Sequence, residues 1–374
     1  MKKILIIHKN IIENEPPTQM VIQHLTDLGY DVRVITLGLN GYWKDEFSKR
    51  GVVYKDLGMS DFVTSKKRSF SSKIKVWLQY RKAVIKELSL YNDDESIVWF
   101  VDADSIAPLL FSKIFNNIKY VMHILEMYDH SYFYRYVLNK YIKRAKRLIV
   151  CEENRAAIFN VWFKPKKYPA VLPNKPYRLL DNAHSVDFLQ EKHPELYNVL
   201  MDKHSKVILY QGVISPDRDL SFILKAINEM PENFIPVLMG RDFNMLNHYK
   251  EICTRLIHIS FIPAPQHLYI TALARIGILM YDPLSLNQIF CAPNKIFEYS
   301  GYGIPMVGNN IPGLSFPFQK FSCGKIFSPA KNTIEMKKII EEIDSNFEKY
   351  SHGAKTLFSS VNNEKIIREV LECV

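Results

Sequence analysis

The chain has 374 residues, of which 47% are hydrophobic and 13% aromatic, and a formal net charge of +10. These values are typical of a packed globular protein with room for two domains of about 150–200 residues each, and no stretch approaches the roughly 18 apolar residues of a membrane span. The positive charge predicts an anionic partner, either nucleotide phosphates, anionic lipid headgroups or nucleic acid. The five cysteines are scattered, with no C-x-x-C or zinc spacing, which is typical of reduced thiols in a cytosolic protein.

Apolar runs alternate with segments of helical period through the first half of the chain, a pattern typical of βαβ units and a parallel sheet. The predicted strands and main helices are Lys2–Lys9, helix Thr18–Leu28 before Gly29, Asp31–Leu37, Val52–Leu57, helix Ser72–Leu90, Ser96–Val101, Tyr120–Leu125 and Arg147–Cys151.

The segment Leu172-Pro173-Asn174-Lys175-Pro176 interrupts this alternation, because two prolines around polar residues mark a linker. The pattern then restarts, with strand Val207–Gln211, helix Arg218–Glu229, strand Ile235–Met239, helix Phe243–Cys253, strand Ile257–Phe261, helix Gln266–Ala274, strand Ile276–Tyr281, a short helix near residue 295 and strand Ile304–Val307. We predict an α/β protein with two Rossmann-like, doubly wound domains facing each other across a cleft. The N-terminal domain covers 1–172, the C-terminal domain 173–355, and a C-terminal helix over 356–374 packs back on the first domain. Ligands of such sheets bind beyond the carboxyl ends of the strands, so the cleft is the expected site.

The short helix near residue 295 carries a phosphate-competent turn. Pro293 suits the first helical position, and the amides of Asn294 and Lys295 should point out of the helix start, where anions are favoured. Lys295 and Glu298 are three residues apart and share one face of the helix. This turn therefore offers amide donors, a cation and a carboxylate that can accept ribose hydroxyls, although an ordinary surface ion pair would look the same.

Two strand-end turns precede it. In the first, Gly212 lets a ligand approach the backbone, and Arg218 can meet phosphate oxygens through two hydrogen bonds. The second turn contains Gly240 and Arg241. Either turn could also be a plain connection with a solvated arginine.

Taken in order, these features resemble the signature of GT-B-fold glycosyltransferases. They comprise Gly212 through Arg218, Pro173-Asn174 at the domain junction, and Pro293-Asn294-Lys295 with Glu298 and Gly303-Ile304-Pro305. The chain is most similar to the group 1 type of bacterial enzymes that build capsule, exopolysaccharide or lipopolysaccharide. The resemblance covers nearly the whole chain and is strongest in its C-terminal half.

The resemblance implies roles for individual residues. Glu298 would bind the ribose hydroxyls of a nucleotide sugar, Arg218 and Lys295 its diphosphate, and the turn at Gly240 and Arg241 would lie near the base. The C-terminal domain would then bind the donor, and the N-terminal domain would lie on the acceptor side. Because cations and amides would hold the leaving diphosphate, no metal or other cofactor is expected.

The chain also departs from the family pattern. Many retaining members carry two glutamates eight positions apart, but Phe290 stands at the first of these positions. Val213 replaces the usual basic residue after Gly212, and Asn14 to Thr18 replaces the early glycine-rich loop. These departures indicate a divergent member.

In the N-terminal half, the strand that ends near Leu125 brings polar residues toward the expected cleft. Glu126 is our first candidate for the general base that takes the acceptor proton, with His123, Asp104 and Asp102 as further candidates. Aspartates at the end of a strand are equally common as caps of the following helix.

Two basic stretches, Lys66 to Lys86 and Tyr132 to Arg147, are interleaved with aromatic residues. They suit an anionic membrane surface, and they could equally be solvated helix faces. Nucleic acid is not expected, because no recognised binding module is present.

We therefore expect a transferase that moves a sugar from a nucleotide-diphosphate donor to a hydroxyl of a lipid-linked glycan in surface polysaccharide synthesis. It is expected in the cytoplasm, peripheral on the inner face of the cell membrane. Two alternatives remain open, a nucleotide-sugar epimerase of the same fold and a non-catalytic scaffold subunit. A dinucleotide-dependent oxidoreductase is disfavoured, because no G-x-G-x-x-G follows the first strand.

Overall fold

The computed structural model describes residues 2–64, 69–181 and 183–374. The chain divides into two compact units, each with its own parallel sheet. Unit 1 comprises 1–177 together with 362–374, and unit 2 comprises 178–361.

Unit 1 contains a seven-stranded sheet. Its elements are β1 Lys3–His8, α1 Pro16–Asp27, β2 Asp31–Thr36, α2 Gly41–Arg50, β3 Val53–Asp56, α3 Ser60–Thr64, α4 Phe70–Leu88, β4 Ser96–Val101, α5 Asp102–Ile106, β5 Tyr120–Ile124, α6 Tyr132–Ile142, β6 Arg147–Val150, α7 Glu153–Phe163 and β7 Ala170–Val171. The strand order is β3-β2-β1-β4-β5-β6-β7, and every neighbouring pair is parallel.

Unit 2 contains a six-stranded sheet. Its elements are α8 Ala183–Lys192, α9 Pro194–Leu200, β8 Lys206–Gln211, α10 Ser221–Asn228, β9 Phe234–Met239, α11 Leu246–Ile252, β10 Ile257–Ile259, α12 Leu268–Thr271, β11 Ile276–Leu279, α13 Leu286–Ile289, α14 Asn294–Gly301, β12 Met306–Asn309, α15 Pro312–Phe321, β13 Gly324–Phe327, α16 Thr333–Ser345 and α17 Phe347–Ser359. The strand order is β10-β9-β8-β11-β12-β13, again with all pairs parallel.

The central strands are apolar on both faces because helices cover both sides of each sheet. In β8, Ile208 and Tyr210 pack into one core, whereas Val207 and Leu209 pack into another. Side chains alternate along a strand, so one continuous apolar run supplies both cores. The predicted doubly wound α/β class is therefore confirmed.

The last helix, α18 Asn363–Glu372, belongs to unit 1 rather than to the unit that precedes it. Its residues Ile367, Val370 and Leu371 join the core that α1 and β1 form, and the Asn363 side chain donates to the carbonyl of Pro173 at 2.9 Å. The single helix predicted over 356–374 is thus interrupted: α17 ends at Ser359, and the side chain of Asn362 caps a new helix by accepting from the amide of Lys365.

The boundary between the units lies after Tyr177, whereas the prolines predicted it at 172. The Tyr177 hydroxyl donates to Asp27 at 2.5 Å, and the Arg50 guanidinium lies 5.0 Å from its ring centroid. These contacts keep the linker on unit 1 beyond the first proline. In the part of the chain that the structure describes, no helix has both the length and the apolar character needed to cross a bilayer.

The interior of unit 1 includes His123 on β5. Its side chain is fully buried, lies edge-on to Trp99 with ring centroids 5.9 Å apart, and neither ring nitrogen has a hydrogen-bond partner among the described residues. Burial lowers the pKa of this imidazole to about 3. The folded protein therefore holds His123 neutral at pH values where an exposed histidine is protonated.

This burial predicts acid-sensitive stability. In the unfolded chain His123 is protonated near its ordinary pKa of 6.5, whereas in the folded chain it is protonated only near pH 3. The free energy of unfolding therefore keeps its full value above pH 6.5 and falls by about 1.4 kcal/mol per pH unit between pH 6.5 and pH 3. We expect His123→Phe to lose this component of the pH dependence, measured as the free energy of guanidinium unfolding from neutral pH to pH about 4. The exposed His352→Phe is the control, and equal slopes for His123→Phe and the wild type would contradict the assignment.

Candidate functional site

The strand order of unit 2 reverses between β8 and β11, and ligands of open α/β sheets bind beyond the carboxyl ends of the strands at such a point. Here β8 ends in Tyr210 and Gln211, followed by Gly212, while β11 leads to Tyr281. The helix α14 begins beyond the same edge. Most of the sequence-predicted donor residues therefore lie around one end of one sheet.

Two glycines bring the backbone close to this end of the sheet. Gly212 has φ +150° and Gly240 has φ +155°, conformations that other residues rarely adopt. A Cβ on Gly240 would lie 1.8 Å from the carbonyl oxygen of Gly212, and a Cβ on Gly212 would lie 3.3 Å from Cε of Lys295. The two turns thus pack against each other, and the side chain of Lys295 lies directly against the first of them.

Lys295 and Arg218 form the cationic part of the site. Arg218 ends a short 3₁₀ turn after β8, and its guanidinium lies 5.1 Å from the ring centroid of Tyr281. Burial lowers the pKa of Lys295, the Arg218 charge lowers it further, and Glu298 acts in the opposite direction. Two partly desolvated cations close enough to perturb each other favour a bound anion, because an anion would relieve their repulsion.

Tyr210 and Tyr281 lie close to Arg218 and favour its charged form. Burial disfavours the charge on Arg218, but Tyr210, Tyr281 and Asp217, whose Oδ2 lies 3.9 Å from Nε of Arg218, together outweigh that effect, so the pKa of the guanidinium is raised. The Tyr210 hydroxyl also donates to the carbonyl of Val213 at 2.7 Å, which fixes the turn that follows Gly212. The valine at this position is therefore compatible with an ordered turn.

Glu298 is a buried carboxylate with a partner on each oxygen. Its side chain is 4% exposed, Nε2 of His267 lies 3.2 Å from Oε1, and the Gln211 side-chain amide donates to Oε2. Thr271 in turn donates to Oε1 of Gln211 at 2.7 Å, which orients that amide toward the carboxylate. Burial raises the pKa of Glu298, but His267, Lys295 and Gln211 together lower it below its ordinary value. The carboxylate is therefore charged, fixed and able to accept further hydrogen bonds.

The start of α14 differs slightly from the prediction. Pro293 is the N-cap, with φ −71° and ψ 139°, and Asn294 rather than Pro293 is the first helical residue. The amides of Asn294 and Lys295 belong to the first turn, where N–H groups have no acceptor within the helix. They point toward the end of the sheet from which α14 starts.

Arg241 lies at the neighbouring strand-end turn. Its side chain is exposed, and its guanidinium lies 4.5 Å from the ring centroid of Phe261. The backbone of this turn is tied to the first one, since the carbonyl of Arg241 accepts from the amide of Ile214 at 3.0 Å. Arg241 thus stands beside the glycine pair with its charge stacked on an aromatic ring.

In unit 1 the strand order reverses between β1 and β4, and acidic residues follow β4. Asp104 accepts a hydrogen bond from the Tyr134 hydroxyl and lies 4.0 Å from Nζ of Lys9. Asp102 has φ +63°, an unusual left-handed conformation for a residue other than glycine. Burial, then Glu126, Glu15 and Asp104, raise the pKa of Asp102 well above its ordinary value.

Glu126 and His123 have different environments although they are three residues apart. Glu126 lies beyond the end of β5, is exposed, and is close enough for its charge to act on Asp102. His123 is inside β5, paired in register with Val101, on the side of the sheet where Val121 and Leu125 join the core. The structure therefore groups Glu126 with the aspartates. It corrects the expectation that His123 reaches the cleft, because the alternation of side chains along β5 turns His123 into the buried core.

Sequence reasoning missed several members of the unit 2 site. Gln211 had a recognisable signal, a polar side chain at the end of an otherwise apolar strand. Tyr210 and Tyr281 looked like core residues, and His267 carried no signal because it lies in a separate loop. Only the fold brings His267 to Glu298.

Known proteins are similar to this chain in their structures, whereas the comparisons of sequence found no match. No protein-family model matches it, and no curated protein matches it in sequence. Among solved structures it is similar to Anabaena HepE in complex with UDP-glucose, with a TM-score of 0.69 and 13% identity over 100% of this chain and 99% of that one. It is also similar to WaaG, a glycosyltransferase involved in lipopolysaccharide biosynthesis, with a TM-score of 0.61 and 12% identity over 99% and 98% of the two chains.

A further similar structure is a putative UDP-N-acetylglucosamine 2-epimerase from Listeria monocytogenes, with a TM-score of 0.62 and 11% identity over 99% of this chain and 95% of that one. At such low identity the likeness establishes the architecture and leaves the reaction open. The chain has the GT-B fold, as the resemblance in its sequence implied.

Proposed function

We propose that this protein is a glycosyltransferase that uses a nucleotide-diphosphate sugar as its donor. The observation that carries the proposal is the grouping of Arg218, Lys295 and Glu298 around one sheet end beside two glycine turns. This grouping supplies cations and amides for a diphosphate and an oriented carboxylate for the ribose hydroxyls. Arg241 and Gly240 would lie toward the base. The complex of the similar protein HepE with UDP-glucose makes UDP-glucose the first donor to test.

The cations and the helix start would also serve the chemistry. As the bond between the sugar and the diphosphate breaks, negative charge grows on the leaving phosphate, and fixed donors at that position lower the barrier. Arg218 and Lys295 provide this charge without a metal ion, so we propose that none is required. Glu126 would take the proton from the acceptor hydroxyl, with Asp104 as the second candidate.

We further propose that the acceptor is a lipid-linked glycan in surface polysaccharide synthesis and that the protein works peripherally on the inner face of the cell membrane. The likeness to WaaG and the basic, aromatic helices of unit 1 support this finer assignment. The likeness to the Listeria protein keeps a nucleotide-sugar epimerase as the second candidate. An epimerase would convert the free nucleotide sugar in the absence of any acceptor.

A thermal-shift screen with UDP, GDP, CDP and their sugars tests the donor assignment. We expect one nucleotide family to raise the melting temperature by mass action. Product analysis with and without glycan acceptors then separates transfer from epimerisation. If no nucleotide stabilises the protein, a non-catalytic scaffold becomes the better interpretation.

Replacing the buried carboxylate should weaken donor binding. Glu298→Gln keeps the shape and removes the charge that accepts hydroxyl hydrogen bonds, so we expect the Kd of the stabilising nucleotide to rise about 10- to 100-fold. Isothermal titration calorimetry measures it, with Glu341→Gln on the exposed face of α16 as the matched control. A normal melting temperature shows that the variant is folded, and an unchanged Kd in a folded variant would refute the role.

Removing the cation beside Tyr281 should lower turnover more than binding. Arg218→Ala deletes a donor whose interaction strengthens as the diphosphate leaves, and we expect kcat to fall by roughly 100-fold or more. The assay is release of the nucleoside diphosphate from the stabilising sugar nucleotide, and exposed Arg178→Ala serves as the control. If kcat is retained and only KM rises, Arg218 contributes to ground-state binding alone.

The acid/base assignment predicts a different kinetic signature. Glu126→Gln should reduce the transfer rate by about 100-fold or more, because the acceptor hydroxyl loses its proton acceptor, while donor affinity is unchanged. Glu95→Gln, an exposed glutamate before β4, is the control. Transfer at the wild-type rate would move the assignment to Asp104, which Asp104→Asn tests in the same assay.

A further inference from the structure

Unit 1 carries a group of exposed apolar side chains that its own core does not need. On α4, Val76, Tyr80, Val84 and Leu88 are buried and fix the helix to the unit. A second stripe on the same helix, Phe70, Ile74, Trp77 and Leu78, is exposed, with Phe70 at 79% and Leu78 at 61%. Its spacing of i, i+4, i+7 and i+8 places the stripe along one side of the helix.

The exposed stripe continues onto α6 and the segment between α5 and β5. Trp77 meets Phe133 edge-on with ring centroids 6.2 Å apart, and Phe133 is flanked by Tyr132 and Tyr136, which are 89% and 51% exposed. On the other side, Lys140 of α6 lies 4.0 Å from the ring centroid of Phe111, which is 69% exposed. We call these eight side chains the aromatic surface: Phe70, Ile74, Trp77, Leu78, Phe111, Tyr132, Phe133 and Tyr136.

The two sequence stretches that carry most of the aromatic surface are basic. Between 70 and 86 the sequence has five lysines and arginines and no acidic residue, and between 132 and 147 it again has no acidic residue. Lys75, Lys82 and Lys86 are exposed along the side of α4 next to the apolar stripe, and Lys143 and Lys146 are exposed after α6. Lys66, Lys67 and Arg68 of the predicted basic stretch lie outside the described residues.

We propose that the aromatic surface docks unit 1 onto an anionic lipid bilayer. Aromatic and aliphatic side chains rimmed by lysines fit the boundary between headgroups and acyl chains, where the rings are buried and the lysines reach anionic headgroups. Trp77 and Phe133 join the exposed apolar side chains of α4 to those of α6, and so many exposed rings and aliphatic chains are unusual for a surface that contacts only water. A polysaccharide would need hydrogen-bonding groups across the surface. Trp77, Tyr132 and Tyr136 each carry one, but Phe70, Ile74 and Leu78 on α4 have none in their side chains.

The surface lies beside the acidic group of unit 1. The Tyr134 hydroxyl of α6 donates to Asp104, and the Tyr80 hydroxyl of α4 donates to the carbonyl of Ser105 at 3.1 Å. A docked unit 1 would therefore hold the proposed proton acceptors near the membrane surface. This last step rests on the proposed function, whereas docking itself requires no nucleotide and no transfer.

Co-sedimentation of the full chain with lipid vesicles tests the proposal. We expect binding to vesicles of phosphatidylglycerol mixed with phosphatidylcholine, much weaker binding to phosphatidylcholine alone, and loss of binding as salt is raised. Equal binding to neutral vesicles, or no binding to anionic ones, would overturn it. Retention by an acidic polysaccharide without vesicle binding would also overturn it, in favour of a glycan surface.

Two sets of variants assign the binding to this surface. Lys75→Gln, Lys82→Gln and Lys86→Gln together should weaken the partition into anionic vesicles by roughly 100-fold, since each lysine near the surface contributes about a factor of five. The control removes the same charge elsewhere, with Lys203→Gln, Lys250→Gln and Lys338→Gln, all exposed in unit 2.

Leu78→Gln should weaken binding by about tenfold through lost apolar contact, and Ile334→Gln is its control because Ile334 is 64% exposed. Wild-type partition in the Leu78 and lysine variants would refute the assignment. Because binding is measured without nucleotide, failure here leaves the donor-binding results intact, and a failed nucleotide screen leaves the vesicle results intact.

Discussion

A charged carboxylate inside unit 2 is the constraint on which the candidate site depends. Burying Glu298 would by itself favour its neutral form, and the folded protein reverses this with an imidazole, an amide and an ammonium group around it. The three partners come from three different elements. His267 lies in the loop before α12, Gln211 at the end of β8, and Lys295 on α14, the helix that also carries Glu298. The carboxylate therefore acts as a fixed acceptor only when these elements are packed together.

The same constraint explains why the neighbouring backbone is tightly packed. Lys295 lies against Gly212, and Gly240 lies against the carbonyl of Gly212. Side chains at these positions would push the cation away from the carboxylate and occupy space that a phosphate could use. The glycines thus serve the electrostatic arrangement as well as the turns.

The two units repeat one topology with opposite electrostatics. In each sheet the strand order reverses next to the first strand of the unit, so each has a binding position at the carboxyl ends of its strands. Unit 2 places Arg218 and Lys295 there, which suits an anion. Unit 1 places Asp102, Asp104 and Glu126 there, and burial, followed by repulsion from the neighbouring carboxylates, raises the pKa of Asp102. An acceptor hydroxyl is better suited to this second environment than a phosphate is.

The sequence by itself determined the alternation of strands and helices and the parallel sheets, because these depend on local periodicity and on the placing of glycine and proline. It also determined the chemical character of the turn at Lys295 and Glu298, because these two residues are three apart in one helix. It also placed polar residues after the strands, since strand ends can be read from where apolar runs stop. Tertiary structure alone decided that His123 is buried and Glu126 exposed, because sheet register and alternation choose which face each side chain takes. It alone brought His267 and Gln211 to Glu298, because such contacts join residues whose separation along the chain leaves no local pattern to detect.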